Sequence, residues 1–247
     1  MGHGLFYVSG CFLLSRLGGT LGALRCDVCG FDYTPGWSPS RREHVIRHHE
    51  WEDGVRLRRL GEFEDVGQVE GLRALLVRPT SPLFLRRQAE RVSRRSIREP
   101  LMEGGYDKPT YYAEPPDSTP ALHAHAVLLA EGAHAVGVLV FERRHVYQRY
   151  RWTERPKFEL VEELPDPVRW TIVHAWVLPA SRGRGLGSGL ARLAIEGVGE
   201  TPDTVGWLSP FTEGGYRLMA RVTADGFCRA WQEVPPFEEV PPPFPRR

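Results

Sequence analysis

The segment Trp176-Val177-Leu178-Pro179-Ala180-Ser181-Arg182-Gly183-Arg184-Gly185-Leu186-Gly187-Ser188-Gly189-Leu190 constrains this chain more than any other. Trp170 to Leu178 alternates in the manner of a strand, and Leu186 to Val198 repeats its apolar residues at helical spacing. The junction is a loop with glycine at 183, 185, 187 and 189, which lets backbone amides turn outward without a Cβ in the way. A helix that starts inside such a loop offers unpaired N–H groups and a partial positive charge, the makings of an anion site. Arg182 and Arg184 add charge suited to phosphate. A P-loop is excluded because no lysine closes the segment. A dinucleotide fingerprint is excluded too: the loop sits late in the chain, and no acidic residue follows at the end of a second parallel strand about 20 residues on. The spacing that remains is Arg-x-x-Gly-x-Gly, Arg182 to Gly187.

The 247 residues suffice for one full domain and a small appendage. A formal net charge of +1 provides no global field toward nucleic acid or an anionic membrane. The longest apolar stretch, Ala121 to Phe141, is broken by His123, His125, Glu131, Gly132 and His134, and reads as two strands rather than a membrane span. Leu5 to Leu14 is apolar, but no Lys or Arg precedes it and no small-residue cleavage site follows, which argues against a secretion signal. A cytoplasmic location is expected, or a nuclear one in a eukaryote. Four pieces follow: a leader over 1–24, a Cys/His module over 25–55, a mixed strand-and-helix domain over 60–233, and a proline-rich tail over 234–247. Leu72 to Arg78 reads as a strand, and Leu83 to Ile97 as a helix with Ser81 as N-cap and Pro82 at its first position. Leu85, Ala89 and Val92 mark the inward face of that helix, while Arg86, Arg87, Arg91, Arg94 and Arg95 fall on wetter ones. That run suits an acidic partner or, more commonly, a solvated face. Val205 to Leu208 and Phe227 to Trp231 close the sheet, with a short helix from Tyr216 to Val222 between them.

Cys26-x2-Cys29-x14-His44-x3-His48 has the spacing of a structural zinc site. The cysteines fit a tight knuckle, and the histidines stand one helical turn apart. Four protein ligands leave no open position, so the metal would staple the module rather than catalyse. A piece this small needs such a staple.

The phosphate loop, with its preceding aromatic-apolar strand, resembles the pyrophosphate motif of the GNAT superfamily. Cys26-Asp27-Val28-Cys29-Gly30-Phe31-Asp32-Tyr33, then His44-Val45-Ile46-Arg47-His48 and Trp51, resembles the zinc finger of the ESCO-type sister-chromatid cohesion acetyltransferases. Leu76 to Pro79, Ala135 to Glu142 and Trp207 to Gly215 are similar, in consistent order, to that family's first strand, central hairpin and late turn. The resemblance implies an α+β GNAT fold, with a mixed, mostly antiparallel central sheet flanked by helices behind a small N-terminal C2H2 zinc finger. It implies acetyl-CoA as acyl donor, its diphosphate cradled by amides of Arg182, Gly183, Arg184, Gly185, Leu186, Gly187 and Ser188. Strand amides near Trp176, Val177 and Leu178 would orient the acetyl carbonyl. The acceptor is an amine, either a protein lysine or a small molecule. His174, Glu142 and Glu213 are candidate bases; Ser209 and Tyr216 are candidate proton relays to the thiolate. Two acidic positions of the family are Pro210 and Arg192 here, so its catalytic acids do not carry over. An acetyl-CoA-binding, zinc-finger protein without catalysis is the reading from another class. Specific DNA readout is disfavoured by a single finger and balanced charge.

Overall fold

A computed structural model describes residues 22–101, 110–114, 124–155, 157–165, 167–208 and 212–230. The leader through residue 21 and the tail from 231 lie outside the described residues, as does Ser209. The chain forms two compact units, 1–47 and 48–247. In the first, β1 (Leu24–Arg25) and β2 (Asp32–Tyr33) make an antiparallel pair around the Cys26–Cys29 knuckle. The boundary between the units falls inside helix α1 (Ser38–Glu52).

The second unit is built on one nine-stranded sheet. After β3 (Val55–Arg56), β4 (Glu64–Val69) and β5 (Leu72–Val77) form a hairpin whose turn is Glu70-Gly71. Helix α2 (Leu83–Leu101) follows, then β6 (His125–Glu131) and β7 (His134–Glu154), joined by Gly132-Ala133. β7 outruns the expected end at Phe141 by 13 residues and turns back as β8 (Lys157–Glu163), a strand the sequence reading did not find. Every residue of β8 is exposed, so it lacks the alternation by which strands are read. Then come β9 (Val168–Val177), α3 (Leu186–Gly197), β10 (Gly206–Leu208), α4 (Glu213–Val222) and β11 (Gly226–Ala230).

The strand order is β11-β10-β9-β7-β6-β5-β4. The pairings of β4 through β9 are antiparallel, while β10 runs parallel to both β9 and β11. The first half of β7 holds β9, and its second half holds β11, so β7, β9, β10 and β11 close into a ring. One continuous core fills the space between sheet and helices; Leu75, Leu128, Leu139, Leu186 and Leu190 are all at most 1% exposed. At about 1.5–3 kcal/mol for each such side chain, this burial is the main force holding the unit together.

The start of α2 differs from expectation. The Pro82 carbonyl accepts from Arg86 N–H at 3.2 Å, which makes Pro82 the cap and Leu83 the first helical residue. Ser81 Oγ instead accepts from Arg78 N–H at 2.9 Å, closing the turn after β5. Arg95 is a second correction: expected on a wet face, it is 0% exposed. The other arginines of this helix are engaged within the unit. Arg91 and Arg98 pair with Glu50, Arg94 with Glu90 and Arg87 with Glu114, and Arg86 donates to the Ser81 and Ala113 carbonyls.

Candidate functional site: a glycine loop at the end of β9, and a Cys/His cluster

β9 ends at Val177 and the chain makes one 3₁₀ turn, Pro179–Ser181, before Arg182 extends it into the loop. Gly183 and Gly185 have φ of 83° and 78°, and neither would meet a neighbour with an added Cβ. Backbone conformation, not space, demands glycine at these two positions. Gly185 caps α3, and its carbonyl accepts the first helical bond from Gly189 N–H at 2.9 Å. The N–H groups of Gly185 through Ser188 therefore precede the helical ladder, a row of donors at the helix mouth with no carbonyl partner among the described residues. Gly189 serves packing instead. A Cβ there would collide with Val69 Cγ1, so this glycine lets α3 lie close on β4.

The arginines of the loop are already engaged. Arg182 Nε donates to the Val177 carbonyl at 3.0 Å, and Arg184 Nη1 meets Glu131 Oε1 at 3.1 Å. Anion binding in this geometry rests on the amides, and either guanidinium would have to swing to assist.

β9 is splayed from β10. Only Thr171 and Ile172 pair with β10, opposite Gly206 and Trp207, whereas pairing with β7 continues to Val177. Among the described residues, the β10-side edge of Val173 to Val177 carries no strand partner. The β7–β9 register also slips between Val140 and Phe141, opposite His174 and Ile172, a bulge at the point where the wedge opens.

His174 stands on the α2 face of β9. Its Nε2 lies 2.7 Å from Ser96 Oγ, and that hydroxyl donates to the Ser93 carbonyl at 2.7 Å. The imidazole must therefore donate from Nε2, which leaves Nδ1 as an acceptor. Desolvation lowers the His174 pKa to about 4, so the ring is neutral at physiological pH. Glu142 on β7 is 4% exposed and pairs with Arg144, whose Nε lies at 2.7 Å. Burial pushes the Glu142 carboxyl up, against the opposing pull of Arg144. Glu213, in the first turn of α4, is exposed and paired with Arg217. Thr212 Oγ1 caps α4, accepting from Gly215 N–H at 3.1 Å. Tyr216 packs edge-on against Trp152 at 5.8 Å, and burial raises its pKa. Arg192 donates to the Arg221 carbonyl at 3.0 Å and ties α3 to the end of α4.

The sequence reading missed Arg95 and Ser96. Arg95 Nε and Nη2 donate to the Glu50 and Trp51 carbonyls at 3.0 Å each. Its guanidinium carbon lies 4.0 Å from the ring centroid of Trp51 and 5.0 Å from that of Trp176. Polar residues in a helical pattern read as solvent-facing, so only tertiary partners could reveal them.

In the N-terminal cluster, Cys26, Cys29, His44 and His48 bring one ligand atom each to within 4.8 Å of one another. Both cysteines are free thiols and buried, at 5% and 7% exposure, and burial pushes the Cys29 thiol up. Tyr33 stacks on His44 with centroids 3.9 Å apart, fixing the imidazole plane. Two thiols and two imidazoles at this spacing are the donor set of a closed tetrahedral zinc site. Buried thiols left without a metal would gain nothing from such convergence. Among the described residues, no helix is long and apolar enough to cross a membrane.

No known protein-family profile matches the chain, and no curated protein matches it. Among solved structures it is similar to the xEco2 acetyltransferase domain bound to a K105-CoA conjugate, at 16% identity and a TM-score of 0.49, covering 70% of this chain and 99% of that one. A second structure of the xEco2 acetyltransferase domain gives the same identity and TM-score, covering 70% of this chain and 98% of that one. An integron cassette protein from the mobile metagenome of Cole Harbour Salt Marsh matches at 15% identity and a TM-score of 0.25, over 49% of this chain and 62% of its own.

Proposed function

We propose that this chain is an acetyl-CoA-dependent N-acetyltransferase of the GNAT type, with a structural zinc module at its N-terminus. The observation that carries the reading is the row of amides from Gly185 to Ser188, without carbonyl partners among the described residues, set where the open edge of β9 begins. Amides so placed suit a diphosphate, and the β10-side edge of Val173 to Val177, which carries no strand partner among the described residues, suits the amide-bearing arm of coenzyme A. The resemblance of the Arg182–Gly187 motif supports the same assignment.

The reaction is attack of a neutral amine nitrogen on the thioester carbonyl carbon. A C–N bond forms, the C–S bond breaks, the ammonium proton passes to a base, and the thiolate takes up a proton. His174 suits the base role poorly, because a group with a pKa of about 4 holds protons weakly at neutral pH. Its placement suits a neutral hydrogen-bonding element. Glu142, with its carboxyl pushed up by burial, is the better proton acceptor of the candidates. Tyr216, un-ionised, suits proton donation to the thiolate. Cys26, Cys29, His44 and His48 would hold zinc, which stabilises the module's fold when bound. The acceptor is a protein lysine, or otherwise a small-molecule amine.

One observation favours a binding-only alternative: Arg192 is spent on a structural bond to α4 where the family carries an acid. Calorimetry with acetyl-CoA, followed by thiol release with lysine peptides and with small amines, decides among these. Micromolar binding with thiol release supports the enzyme; binding without release supports the alternative. No heat of association with the fold intact removes both.

A further inference from the structure

Trp207 carries a donor that the fold does not use. The residue is 3% exposed, and its indole Nε1 has no hydrogen-bond partner among the described residues. A buried N–H left unpaired costs about 1–3 kcal/mol, and native interiors rarely keep one without a use.

Its position makes that use legible. Trp207 pairs with Ile172, the last register pair before β9 and β10 part, so the residue stands at the apex of the wedge. The residue before it, Gly206, faces the opposite side, where a Cβ would collide with Thr171 Oγ1 and Val146 Cγ1. The Trp207 side chain therefore shares the face of Ile172, which lines one small cavity together with Ala194 and Ile195 of α3. From Val177, next to the amide row, to Ile172 at the apex is five residues, about 16 Å at a strand rise of ~3.3 Å. A thioester carrier gripped by its diphosphate at Gly185–Ser188, with its arm laid along the open edge of β9, delivers its acyl end to the apex.

We propose that Trp207 Nε1–H is the hydrogen-bond donor for the acyl carbonyl oxygen of that thioester. This rests on the acetyltransferase reading and assigns it a residue that the loop motif does not include. A donor preset in a dry site costs no reorganisation, and it strengthens its bond as negative charge develops on the oxygen. Trp207 is then a catalytic residue in the sense that it touches a reacting atom.

The test uses the full chain labelled with ¹⁵N, with the indole N–H resonance of Trp207 identified by its loss in Trp207→Phe. Acetyl-CoA should move that resonance downfield and slow its exchange with solvent, whereas free coenzyme A, which lacks the acyl carbonyl, should leave it near its starting position. By calorimetry, Trp207→Phe should weaken acetyl-CoA binding about five- to tenfold and leave coenzyme A binding unchanged, the scale of one hydrogen bond. Should Trp207→Phe not fold, a nuclear Overhauser contact between ¹³C-acetyl-CoA and an indole N–H of the unmutated chain reads the same geometry. Binding of acetyl-CoA with the Trp207 resonance unmoved, or moved equally by free coenzyme A, overturns the assignment. Failure of both ligands to bind overturns the acetyltransferase reading instead.

Discussion

Helices α2 and α3 flank the same sheet and solve burial in opposite ways. α3 buries Leu186, Leu190, Ala191, Ala194 and Ile195, and comes close to β4 through Gly189. α2 buries Leu85, Ala89 and Val92, but also Ser93, Arg95 and Ser96, each 0% exposed. The apolar face of α3 needs only shape. The polar face of α2 needs partners: main-chain carbonyls of Glu50 and Trp51, the Thr110 hydroxyl, and His174. The lesson is that one side of β9 is held by packing and the other by hydrogen bonds, and these two supports fail differently. A void on the packing side costs in proportion to its size, whereas a lost partner on the polar side strands what remains.

The largest effect should come from the polar side. Arg95→Met, nearly matched in volume, leaves two buried carbonyls unsatisfied and removes the stack on Trp51 and Trp176. We expect a loss of about 4 kcal/mol by chemical denaturation, with Arg95→Lys recovering less than half because it cannot span both carbonyls. If Arg95→Met were as stable as the parent, the contrast between the helices would be false.

His174 sharpens the contrast through pH. Its folded pKa of about 4 lies below the ordinary 6.5, so between these values the unfolded chain binds a proton that the folded chain does not. Stability should rise with pH across that window and fall on acidification, by about 3 kcal/mol at 1.36 kcal/mol per unit. His174→Gln should flatten this slope in denaturation curves taken from pH 4 to 6.5; an unchanged slope would assign the titration elsewhere.

On the packing side, Gly189→Ala should cost about 2 kcal/mol by overfilling the seam with Val69. Adding Val69→Ala should return part of the loss, a coupling visible in a double-mutant cycle. Strict additivity would mean that the two residues do not compete for one space. The smallest effect belongs to the outer face of α2: Arg87→Ala breaks only an exposed pair with Glu114 and should change the unfolding free energy, measured by chemical denaturation, by no more than about 0.5 kcal/mol.

Much of this was legible beforehand, because some features are local. The alternation of Trp170 to Leu178, the glycines at 183 and 185, and the periodicity of Leu186 to Val198 each act over a few residues, and strand, loop and helix lie where those patterns put them. Cys26, Cys29, His44 and His48 converge as their spacing requires, since a knuckle and one helical turn fix their reach. Arg95 was misread because its partners lie more than 40 residues away, at Glu50 and Trp51. Ser81 was misread because two backbone amides could claim its oxygen, and the turn after β5 won.

By itself, then, the sequence determined the elements that carry the glycine loop and the Cys/His cluster, whose physics is short-ranged: backbone conformation at glycine, helical and strand periodicity, and the spacing of four side chains. Tertiary structure alone decided which polar groups are buried and what satisfies them. It closed β7, β9, β10 and β11 into a ring, set Ser96 against His174, engaged Arg182 with the Val177 carbonyl and Arg184 with Glu131, and left the Trp207 indole N–H without a partner among the described residues. Burial and hydrogen-bond pairing are properties of neighbours, and those neighbours are chosen only when distant strands come into register.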